Sequence, residues 1–115
     1  MALADELQRI PSRVTAGVAV CDRRQGTTWV WKINLATLDQ RSGYDCVAGQ
    51  LYGNYADAIP HLGFTSLERG KECGFSFYAR YANLTSTQVE VYFRALTIAW
   101  SKQILNLRTQ RLHLQ

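Results

Sequence analysis

The sequence predicts a mainly α-helical single domain, a small bundle built on one long C-terminal helix at about 85–109. Three observations carry that reading. Val89, Tyr92, Phe93, Leu96, Ala99, Trp100, Ile104 and Leu107 recur at three- and four-residue steps, the spacing that lays one apolar stripe along a helix. Through residues 45–74, side chains suited to capping a helix alternate with glycines suited to ending one. The 115 residues are 47% hydrophobic and only 19% charged, enough apolar surface for one core and too much for disorder. Residues 1–115 therefore read as one domain.

Taken in order, residues 2–10 have Leu3, Leu7 and Ile10 at helical spacing ahead of Pro11, a helix short enough to fray or dock loosely. Residues 12–24 fit two periods. Val14, Val18 and Cys21 make a helical stripe behind Ser12 as a cap, whereas Val14, Ala16, Val18 and Val20 alternate as in a strand. An α+β alternative, with an N-terminal β-hairpin at about 13–33, thus stands beside the helical reading. Asp39 to Gly43 reads as a polar loop. Asp45 is placed to cap a helix over 46–52 that Gly53 ends, and Asn54 or Asp57 to open one at about 56–62 with Pro60 in its first turn. Thr65 and Glu68 have capping-box spacing, and Gly74-Phe75 has the pattern of a Schellman ending, bracketing a helix over 66–73. Residues 75–83 have no period and read as a loop with large apolar anchors. Thr85 or Ser86 caps the long helix.

Thirteen basic residues against nine acidic ones give a net charge of +4, and residues 1–90 balance at nine each. The surplus is Arg94, Lys102, Arg108 and Arg111, all on the last helix. Cations there suit the helix dipole; gathered on one face they would suit a polyanion, so nucleic-acid binding through these four is an alternative function. No apolar run reaches the roughly 18–20 residues that cross a bilayer, so no membrane partner is expected and the location expected is cytoplasmic. Three scattered cysteines do not make a secreted disulfide framework.

No phosphate-cradling glycine loop, H-E-x-x-H, G-x-S-x-G or paired-carboxylate motif occurs, and nothing implies a cofactor. Cys21, Cys46, Cys73 and His61 lack the C-x₂₋₄-C knuckles of a structural zinc site, so no metal is expected. Cys46, beside a proposed helix start, with His61 as base and Asp57 as orienter, is the one candidate catalytic set, for a Cys46-dependent enzyme or a small-ligand sequestering protein. A packed thiol is the competing reading, because cysteine is among the most buried residue types. The aromatic side chains outnumber what a small core hides. The candidate partner-binding residues are therefore Trp29, Trp31, Phe77, Tyr78, Arg80 and Tyr81, aromatic and arginine side chains being favoured at interfaces.

Several segments carry a resemblance. They are Gly17-Val18-Ala19-Val20-Cys21-Asp22, the run Ile33 to Asp39, Cys46-Val47-Ala48-Gly49-Gln50-Leu51-Tyr52-Gly53-Asn54-Tyr55, Leu62-Gly63, Cys73-Gly74-Phe75 and Leu96 to Trp100. Over roughly residues 16–106 the chain resembles short proteins of actinobacteria and their phages that have no assigned activity. The resemblance implies a mainly helical fold, with helix over 12–24 and a turn or short helix over Trp29–Ile33, and an origin in a phage or a phage-derived region; it supplies no activity. Many such proteins have Cys-x-Cys where this chain has Tyr44-Asp45-Cys46. The expected function is then a non-enzymatic interaction protein that binds and modulates a host protein, in defence or DNA metabolism. The apolar tail Leu105, Leu107, Leu112 and Leu114 also offers a surface for a homodimer.

Overall fold

The computed structural model describes residues 2–75 and 84–112. Six α-helices follow one another: α1 (Ala2–Gln8), α2 (Ile10–Gln25), α3 (Val47–Tyr52), α4 (Tyr55–Leu62), α5 (Leu67–Glu72) and α6 (Ser86–Arg111), with a 3₁₀ turn at Thr27–Trp31. Among the described residues there is no strand, so the hairpin alternative at 13–33 falls. The helical period wins over 10–25: Ile10, Arg13, Val14, Gly17, Val18 and Cys21 are buried as a stripe that packs on α6, and although Val20 of the alternating pattern is buried too, Ala16 of that pattern is only half-buried.

Helix α6 is the spine. At about 1.5 Å per residue its 26 residues span roughly 39 Å, most of the 44 Å long axis of the molecule. Tyr92, Phe93, Leu96, Trp100, Ile104 and Leu107 form its buried side, along the periodicity read from the sequence. Trp100 is the hub: its ring meets Trp29 edge-on at 6.2 Å and Phe75 at 5.4 Å, and Phe75 leads on to Phe64 at 5.6 Å. The indole N–H donates to the carbonyl of Gly74 at 2.7 Å, so the buried ring leaves no orphan donor. Gly17 lets α2 approach, since a Cβ there would lie 2.2 Å from the Cys73 carbonyl and 2.5 Å from the Trp100 ring.

The helix ends show where local expectations were off by a residue. Pro11 lies in the first turn of α2 rather than ending α1, a position where its missing N–H costs little; Ser12 caps nothing and donates to the Arg9 carbonyl. Cys46, not Asp45, caps α3. Asn54 opens α4 at Tyr55, which leaves Pro60 inside the helix rather than in its first turn. Ser66, not Thr65, caps α5, and the reciprocal capping box forms instead at Thr85 and Gln88 on α6. The Schellman ending at Gly74 (φ 75°) is present, with Phe75 N–H donating to Gly70 O and Gly74 N–H to Lys71 O.

Two buried polar groups hold the layers in register. Gln40 is fully buried, donates to the Gly74 carbonyl, accepts the Val47 N–H, and has its own N–H taken by Thr97 Oγ1 of α6. Glu6 fastens α1, which a local reading of 1–10 leaves frayed: it pairs with Arg13 at 3.0 Å and with Lys71 at 3.1 Å, and Arg13 also donates to Tyr92 Oη at 2.8 Å.

Candidate functional site

With one side of α6 in the core, the other is expected to be polar. It is not uniformly so. Val91, Ile98, Leu105 and Leu112 are 43%, 51%, 53% and 59% exposed, and they stand seven residues apart along the helix. A seven-residue step turns the helix through about two turns less 20°, so the four side chains form one outward stripe. Trp31, 40% exposed, extends it sideways. The Arg108 guanidinium lies over its ring at 5.6 Å, and Arg108 sits between Leu105 and Leu112 in helical position.

The surplus cations divide by role. Arg108 donates from Nε to the Val30 carbonyl at 2.8 Å and from its terminal nitrogen to the Ile33 carbonyl. Arg111 pairs with both oxygens of Asp22 and donates to the Thr27 carbonyl. Both clamp the 3₁₀ turn onto α6, satisfying carbonyls that a short turn leaves open. Arg94 and Lys102 are exposed. At about 100° per residue Lys102 and Arg111 point to opposite sides of the axis, so the four cations of the nucleic-acid alternative do not converge on one face.

Of the partner-facing residues read from the sequence, Trp31 is on the surface and Trp29 is not. Trp29 is fully buried, its indole donating to Asp22 Oδ1 at 2.7 Å, so it leaves the docking set for the core. Phe77, Tyr78, Arg80 and Tyr81 lie outside the described residues. Most remaining rings of the expected surplus are interior: Tyr55, Phe64 and Phe75 are buried, and Tyr44 is the exposed one at 73%.

The Cys46, His61 and Asp57 set is not assembled. Cys46 is fully buried and its sulfur accepts the Gly49 N–H at 3.2 Å. Burial pushes its thiol up to about 11, outweighing the backbone N–H groups that favour the thiolate. His61 stacks face to face on Tyr52 at 5.3 Å, while Asp57 is taken up by Asn54 at 2.8 Å. Among the described residues no hydrogen bond joins the three. Cys21 and Cys73 are also buried, and burial raises both thiols. Among the described residues no three His, Cys, Asp or Glu side chains gather as a metal-holding group, and no helix is long and apolar enough to cross a membrane.

Of the apolar tail read from the sequence, Leu105 and Leu112 belong to this stripe, Leu107 is buried and Leu114 lies outside the described residues; Val91 and Ile98 escape a local reading because they are interleaved with the core positions of the same helix. The stripe's signal was present: aliphatic residues at 91, 98, 105 and 112, a separate seven-residue repeat beside the three-and-four pattern. No family model, curated protein or solved structure matches the chain.

Proposed function

We propose that this is a small, non-enzymatic interaction protein of phage type, acting in the cytoplasm of a bacterial host by binding and modulating a host protein, with defence or DNA metabolism as the setting. The observation that carries the reading is the outward aliphatic stripe on α6 with Trp31 beside it. A soluble fold does not ordinarily spend a long helix's solvent side on branched aliphatic residues, whereas a protein contact desolvates them with gain. The buried cysteines and the unassembled Cys46, His61 and Asp57 support a role without covalent chemistry.

The test is affinity capture from host lysate with the wild-type chain and with Trp31→Ala and Leu105→Glu, both exposed positions. A defined host protein retained by the wild type and lost from both variants is the expected result. Identical captures from all three, or none from the wild type, overturn the reading.

A further inference from the structure

We infer that the outer ridge of α6 seats one helix of the partner, an amphipathic helix with aliphatic residues at heptad spacing and acidic flanks. The inference rests on the interaction-protein reading and adds the class of partner surface. Val91 to Leu112 covers about 32 Å of helix axis, the length of three heptads. A stripe repeating every seven residues drifts slowly around a straight α-helix, which is the path a second helix follows when it crosses at about 20° and winds left-handed.

The relief beside the stripe suits such an occupant. One side holds a cleft of about 410 Å³ bordered by Leu38, Phe93, Arg94 and Thr97; the other holds one of about 420 Å³ bordered by Pro11, Val14, Ala99 and Lys102. Side chains from a helix laid on the ridge would fall into both.

Charge decides what kind of helix. Arg94 and Lys102 stand one turn before and one turn after Ile98, and neither makes an ion pair among the described residues. In the first cleft Arg41 faces Glu90 at 3.8 Å, so that acid already has a base, and Asp39 Oδ1 accepts the Arg41 backbone N–H; Arg94 and Lys102, on either side of Ile98, form no ion pair among the described residues. A second copy is the poorer occupant. The antiparallel self-pairing that matches the four aliphatic residues sets Lys102 beside its own copy, and either self-pairing joins chains of net charge +4 each. Acidic residues flanking the partner's aliphatic seam would meet Arg94 and Lys102 instead.

The test uses the full chain and two fluorescent synthetic helices of about four heptads with the same leucine and isoleucine seam, one flanked by glutamate and the other by lysine. Anisotropy titrations should show the glutamate helix binding at least about tenfold more tightly, and more weakly as salt rises. Ile98→Ser should abolish binding, and the exposed double change Arg94→Glu with Lys102→Glu should reverse the preference, each variant keeping the wild-type circular dichroism spectrum. Light scattering should show the chain alone as a monomer. No binding, equal binding of both helices, a preference unmoved by the charge reversal, or a dimer abolished by Ile98→Ser each overturns the inference. If the helices fail while host-protein capture still depends on Trp31, the acidic-helix seat falls and the interaction reading stands; if capture also fails, both fall.

Discussion

Cys46 completes the first turn of α3 with its sulfur, using on structure the group that a catalytic reading would spend on substrate. With its thiol near 11, about one molecule in a few thousand carries a thiolate at pH 7.5. In the native protein iodoacetamide should leave Cys46 unmodified over the time in which an unfolded control reacts fully, as followed by mass spectrometry; rapid stoichiometric labelling would contradict the packing described. Because the folded value lies above the ordinary 9.0, the stabilising contribution is whole below pH 9 and is lost as pH rises towards 11. Glu6 works in the opposite sense. Burial pushes its carboxyl up, but hydrogen bonds and charge from Arg13 and Lys71 outweigh that and hold it below its usual 4.5, so its contribution is whole above pH 4.5 and is lost as pH falls through the lowered value. Glu6→Gln leaves the buried Arg13 facing no carboxylate and should cost about 3 kcal/mol at neutral pH by urea unfolding, with the deficit shrinking in acid.

At the scale of elements, the readable features were those with strong local causes. Gly74 with Phe75 marked a helix end because only a residue tolerant of positive φ closes a Schellman turn, and the stripe from Val89 to Leu107 had only one way to be covered. Caps were harder, since Thr65 and Ser66 are chemically interchangeable and only the backbone decides which is extended. Segment 12–24 was ambiguous because both periods share Val14 and Val18; what resolves it is Gly17, whose missing Cβ matters only once Trp100 and Cys73 are packed against it. Gly17→Ala should therefore cost about 3 kcal/mol by overpacking against backbone, while Thr85→Ala, which removes a cap at an exposed end, should cost about 1 kcal/mol. Thermal unfolding of the two variants side by side checks the order; equal losses would contradict the close approach of α2 to α6.

Across the whole molecule, α6 divides the chain's apolar content between a core and an outward stripe. Charge legible in the sequence as one basic helix separates into two roles that depend on long-range contacts: Arg108 and Arg111 reach carbonyls of residues 27–33, and Arg94 and Lys102 remain beside Ile98. Those contacts are invisible to local spacing, as is the burial of Trp29 against Asp22. Aromatic surplus pointed to an interaction surface; of that set Trp31 is the described residue that is exposed, and the other exposed apolar side chains along α6 are aliphatic. A photo-crosslinking amino acid placed singly at Ile98, Leu105 or Glu68 in host cells tests this division most directly. Adducts with another protein from positions 98 and 105 and none from position 68, on exposed α5, are the expected result; no adduct at 98 and 105, or equal adducts at all three, would contradict a docking face on α6.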